Sequence, residues 1–166
     1  LTHEPEVSVP ALVRALRPGP DDLRPVLLAS VEAFGKAAVD PLLSLLEDTE
    51  DAVLATVGRV CQQIPKLLVD PLTQTVASAT SPRARENAIE LLGSLGTAAA
   101  SAESVLLAAM ADTDTSLRCK SIRALGRTAK PSKALLAAFD ALARQDNSMF
   151  VAAALDAARS DLARRA

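Results

Sequence analysis

Val39-Asp40-Pro41-Leu42 returns 30 residues later as Val69-Asp70-Pro71-Leu72. A phrase that recurs at an interval of roughly 20–50 residues is the signature of a repeat architecture. An Asp-Pro pair ahead of an apolar run reads as a helix start. Asp accepts hydrogen bonds from the first free N–H groups, and proline suits the first helical position because its missing N–H would have no partner there. Each copy is therefore expected to open a helix. The first runs through Leu42, Leu43, Leu45 and Leu46 into the acidic turn Glu47 to Asp51. A second helix is expected beyond it, with Val53, Val57, Val60, Cys61 and Ile64 spaced along one face.

The same order recurs along the chain. Leu72 and Val76 lead to a turn at Ser78 to Pro82, where Ser81-Pro82 is another cap-plus-proline start, and the next helix ends at Gly93 or Gly96. Val105, Leu106 and Met110 lead to Asp112-Thr113-Asp114; Leu135, Leu136 and Phe139 lead to Asp146-Asn147. Upstream, Val9, Leu12, Val13 and Leu16 precede Pro18-Gly19-Pro20. Equivalent second-helix anchors are then Val26, Val53, Ala84, Leu117 and Met149. Four residues on come Ser30, Val57, Ala88, Ser121 and Ala153, and eight on Phe34, Cys61, Leu92, Leu125 and Ala157. The expectation is an all-α array of about five helix-turn-helix units and about ten short helices, with repeats near 7–38, 39–65, 66–97, 98–130 and 131–166. Helices this short are marginal alone, and stacking buries one continuous core.

Composition agrees. Of 166 residues 49% are hydrophobic, with three Phe and no Trp or Tyr. Ala and Leu dominate, and they are the best apolar helix formers. The net charge of −2 gives no global reason to expect nucleic acid or an anionic membrane. Cys61 and Cys119 fall in apolar helical patterns and are expected to be buried, reduced and inert. No apolar run is long enough to span a membrane and no signal peptide is present, so a cytoplasmic setting is expected. The start at Leu1 rather than Met is that expected of a segment cut from a longer chain.

Two stretches carry a family resemblance: Asp112-Thr113-Asp114-Thr115-Ser116-Leu117-Arg118 followed by Ala124-Leu125-Gly126, and Arg85 with Leu91-Leu92-Gly93. They resemble HEAT repeats, most closely the bacterial phycobilisome-lyase type, over nearly the whole chain. The resemblance implies a right-handed α-solenoid whose second helices line a concave face. It also implies that Arg85 and Arg118 tie adjacent turns to aspartates. The second repeat departs from the pattern, with Leu54 in place of the arginine and Gln62 in place of the glycine. Its inter-helix region is about three residues longer around Ile64-Pro65-Lys66, so a local irregularity is expected there.

Catalytic chemistry has few places to reside. His3 is the only histidine, which excludes a multi-histidine metal site. No Gly-rich phosphate loop, nucleophile elbow or CxxC occurs, and no catalytic residue, cofactor or metal is assigned. The acidic turn from Glu47 to Asp51 lacks the ligand pattern of a calcium loop and reads as a helix cap. Taking the small second-helix position as inward, the residues three, six and ten beyond each anchor share an outer stripe. Its candidate binding residues are Glu32, Lys36, Arg59, Gln63, Asn87, Glu90, Lys120, Arg123 and Arg127; Ala29, Thr56 and Ser94 complete it. No acid occurs between Asp114 and Asp140, whereas residues 37 to 58 carry acids and no Lys or Arg, so the array is expected to be dipolar along its length. The expected function is a non-catalytic interaction module that presents this face to a protein or peptide, an acidic segment being one candidate. The alternatives are an enzyme-associated, bilin-lyase-like subunit, or weak nucleic-acid binding through the basic 118–133 stretch. Scarce aromatics disfavour the first and the low pI disfavours the second.

Overall fold

The computed structural model describes residues 9, 11, 13, 29, 31, 33–48 and 51–165. Among these it has eight α-helices and no strand: α1 (Val39–Ser44), α2 (Asp51–Gln63), α3 (Pro65–Ser78), α4 (Pro82–Ser94), α5 (Glu103–Ala109), α6 (Thr115–Thr128), α7 (Lys133–Gln145) and α8 (Met149–Ala163). Short 3-10 segments cover Gly35–Ala38, Leu45–Glu47 and Gly96–Ala102. His3, Leu12, Leu16, Val26, Ser30 and Glu32 lie outside the described residues.

Side-chain caps set the starts of α4, α6 and α7. Ser81 Oγ accepts from the Ala84 amide at 3.3 Å ahead of Pro82, as the cap-plus-proline pattern predicts. Asp114 Oδ1 accepts from Ser116 at 2.7 Å and Leu117 at 3.4 Å. Ser132 Oγ accepts from Leu135 at 3.1 Å. Gly96, at φ +56°, takes the left-handed conformation that turns the chain out of α4.

The first Val-Asp-Pro-Leu phrase opens α1, which begins at Val39, but the second does not open its helix. α3 begins at Pro65, placing Asp70 and Pro71 inside it, and α1 is entered through the 3-10 turn from Gly35. Pro65 takes the first turn, where a missing N–H costs nothing. The extra residues around Ile64 therefore lengthen a helix instead of a loop. The phrase recurs because it packs: Val39, Leu42, Val69 and Leu72 are all buried, while Asp40 and Asp70 face outward.

The helices form two layers. α2, α4, α6 and α8 pack in succession, and α1, α3 and α5 pack in succession behind them. Of the expected anchor sets, Val53, Val57 and Cys61; Ala84, Ala88 and Leu92; and Leu117, Ser121 and Leu125 are buried. The last set is not. Met149 is 76% exposed, Ala153 and Ala157 are exposed, and Val151, Leu155, Ala158 and Leu162 fill the core instead. The turn explains the shift. Asp112 Oδ1 accepts from Asp114 N, and Asp146 Oδ1 accepts from Ser148 N in the same way. The two turns align on their aspartates, so Val151, two residues past Met149, corresponds to Leu117.

Adjacent turns are tied as the resemblance implies. Arg85 Nη2 lies 2.8 Å from Asp112 Oδ2, and Arg118 Nη2 lies 2.8 Å from Asp146 Oδ2. Arg118 Nη1 also donates to the carbonyls of Asp112 and Thr113. The Asp114 amide, then Arg85, hold the Asp112 carboxyl below the usual carboxylate range. Both cysteines are buried, and burial pushes the Cys61 thiol up to about 12, leaving no reactive thiolate.

Candidate protein-binding groove

The second-helix layer is not flat. Gly58 on α2 faces Leu91 on α4, and a Cβ there would lie 3.3 Å from Leu91 Cδ2. Beside this contact opens a cavity of about 370 Å³, floored by Leu54, Ala55, Gly58 and Leu91. Arg59 and Gln62 from α2, Asn87, Glu90 and Ser94 from α4, and Arg127 from α6 form its rim.

Four of the nine sequence-predicted stripe residues therefore meet here: Arg59, Asn87, Glu90 and Arg127. They are not equally free. Arg59 is exposed and its Nη2 donates to Thr56 Oγ1 at 2.9 Å, which holds the guanidinium along the helix. Thr56 itself is buried, and its hydroxyl donates to the Ala52 carbonyl; it supports the rim from beneath instead of lying on the stripe. Asn87 is buried as well, with Nδ2 donating to the Leu46 carbonyl at 2.7 Å. That bond satisfies a carbonyl at the end of a 3-10 segment, so the amide is already committed to the fold. Arg127 is 57% exposed and stands 3.9 Å from Asp161, a loose contact.

Lys120 is held by acids from the neighbouring helix, 2.8 Å from Glu86 and 3.3 Å from Glu90. Burial pulls its ammonium pKa down, but the two carboxylates outweigh burial and hold it above the ordinary lysine value. Arg123 is exposed and makes no ion pair among the described residues. Gln63 is exposed outside the groove, and Lys36 lines a different cavity. Glu32 lies outside the described residues.

The floor was missed in the sequence. Leu54, Gly58 and Gln62 recur every four residues, a stripe visible in the pattern. It was masked because Leu54 and Gln62 read as departures from the other repeats. Leu54 is half-buried where Arg85 and Arg118 make their clamps, and Ala79 occupies the position of Asp112. Both halves of the clamp are missing at this junction, and an apolar groove floor stands in its place.

Residues 69–159 match the family model for HEAT repeats. The chain belongs to the HEAT-repeat family. Three solved structures share the fold of this HEAT array. One comes from the CpcE–CpcF complex of phycocyanin lyase from Nostoc sp. PCC7120: 22% identity, TM-score 0.59, covering 92% of this chain and 98% of that one. A designed armadillo repeat protein in complex with the peptide (KR)4 shares 16% identity with a TM-score of 0.55, over 93% of this chain and 82% of that one. A computationally designed armadillo repeat protein for modular peptide recognition shares 20% identity with a TM-score of 0.59, over 94% and 74%. A search of curated protein sequences finds no match. These similarities place the HEAT array among helical-repeat folds.

Proposed function

We propose that the HEAT array is a non-catalytic interaction module that seats an extended segment of a partner protein in the groove between α2, α4 and α6. The observation that carries this reading is the groove itself: an apolar floor of Leu54, Ala55 and Leu91 beneath two cationic rim groups, Arg59 and Arg127. The floor rewards an apolar side chain, and the guanidiniums reward a flanking carboxylate with paired N–H donors. Glu90 does not cancel them, because Lys120 stands against it. The acidic partner proposed here is thus acidic-apolar in sequence. Two of the similar structures were solved with a partner, one a protein subunit and one a peptide, which supports the class of function.

The same arrangement weakens the nucleic-acid alternative. Within the basic stretch, Arg118 is engaged by Asp146 and Lys120 by Glu86 and Glu90, so the run of cations does not act as one patch.

A peptide array of acidic, basic and mixed sequences, probed with the wild-type chain and with Arg59→Glu plus Arg127→Glu, tests the proposal. Acidic-apolar peptides retained by the wild type, released by added salt and lost by the double reversal are the expected result. Retention that the reversal leaves unchanged, or selection of basic peptides, overturns it.

A further inference from the structure

The repeated phrase extends further back than its four shared letters. Lys36-Ala37-Ala38-Val39-Asp40-Pro41-Leu42 and Lys66-Leu67-Leu68-Val69-Asp70-Pro71-Leu72 agree in lysine, valine, aspartate, proline and leucine. The fold brings the two copies side by side, because α1 and α3 pack against each other in the first-helix layer. Both lysines and both aspartates line one open cavity of about 410 Å³, with Val39, Leu67 and Pro71 between them. This cavity belongs to the layer behind the groove described above.

All four charges are exposed, and none has a side-chain partner among the described residues. Within each copy lysine precedes aspartate by four positions, the less favourable order for an ion pair along a helix. A ligand of one sign is poorly served here. An anion drawn to the lysines meets two carboxylates, and a cation drawn to the carboxylates meets two ammoniums. The cavity calls for a surface that carries both signs in the same layout. The chain itself has such a surface.

We propose that this patch pairs with its own copy on a second molecule of this chain. Successive first helices of a solenoid run in the same direction, so the lysines form one row and the aspartates a parallel row one helical turn away. A two-fold axis lying between the rows, across the helices, sets Lys36 on the partner's Asp40 and Lys66 on the partner's Asp70, and the reverse. Four ion pairs form around the apolar centre. A two-fold axis along the helices would set lysine on lysine, so only one isologous arrangement is satisfied. The apolar centre is small, and the dimer is therefore salt-sensitive.

Sedimentation velocity on two complementary variants tests this. One carries Lys36→Asp and Lys66→Asp, the other Asp40→Lys and Asp70→Lys. The wild type should dimerise at low ionic strength and dissociate at high ionic strength. Each variant alone should self-associate at least tenfold more weakly, and an equimolar mixture should recover a dimer. Circular dichroism confirms that the exposed substitutions leave the helices intact; if either variant loses helix, Lys66→Gln with Asp70→Asn replaces it, and weaker self-association is again required. A wild type that stays monomeric at low salt, dimers that survive in both variants, or a mixture that does not associate overturns the proposal.

Discussion

At Gly126 the fold depends on the absence of one methyl group. A Cβ there would lie 2.6 Å from the Cα of Ala158, a backbone atom with no room to retreat. At Gly93, the corresponding position in α4, the added atom would meet Ala124 at 3.3 Å. The two glycines therefore have different tolerances despite their shared motif. Gly126→Ala should destabilise the array by about 1–3 kcal/mol, because overpacking forces α6 and α8 apart. Gly93→Ala should be close to neutral, since a small shift of Ala124 is offset by the better helix propensity of alanine, about 1 kcal/mol. Urea unfolding of the two variants checks both, and equal losses would contradict the difference in approach. Sequence alone marked both glycines as repeat signatures. It could not rank them, because the rank depends on how closely the next helix approaches.

Between elements, the arginine–aspartate clamp is the repeated device, and its omission is as informative as its presence. Arg118 and Asp146 retain only 16% and 12% side-chain exposure, so their coupling is screened less than that of a surface pair. A double-mutant cycle with Arg118→Ala and Asp146→Ala should give a favourable coupling, about 1 kcal/mol or somewhat more. Additive losses would show that the arginine acts only through the carbonyls of Asp112 and Thr113. Acid should act at the Arg85 clamp with a defined sign. The folded-state pKa of Asp112 is depressed by the Asp114 amide and by Arg85. The stability it contributes is thus present above the unfolded aspartate value, about 3.9, and is lost as pH falls through the lower folded value. The difference in melting temperature between wild type and Asp112→Asn should accordingly narrow below that pH. A constant difference would remove the carboxylate from the account. These clamps were legible through the family resemblance of the stretches that carry Arg85 and Arg118. The start of α3 was not, because two prolines six residues apart both qualify as first-turn residues, and only packing chooses Pro65. The register of α8 was misread for a related reason: Met149 opens the last helix with an apolar residue, yet the Asp146 turn decides which face turns inward.

For the whole molecule, the layered topology decides how damage spreads. Each second helix contacts its neighbours in the stack, α4, α6 and α8 also contact their own first helices, and long-range closure is absent from the described contacts. Stability in such an array is close to a sum of local units and nearest-neighbour interfaces. Leu125 is fully buried in α6, which packs on α4, α5 and α8. Leu125→Asp places a charge there with no partner, and burying an unpaired charge costs several kcal/mol after relaxation. The loss should not be uniform. α5 to α8 depend directly on α6 or on a helix that does, whereas α1 and α2 keep their contacts with α3. Hydrogen exchange of Leu125→Asp should therefore show protection falling first and furthest from α5 to α8, with α1 to α3 retaining more of theirs. The groove straddles this boundary, since Arg59 comes from α2 and Arg127 from α6. Its two cationic walls should separate before the N-terminal helices unfold, so peptide binding should fail at a lower denaturant concentration than helix loss on α2. Cooperative melting near the wild-type temperature would exclude Leu125 from the core. An even loss of protection along the chain would show that the array folds as one unit, and groove and scaffold would then fail together.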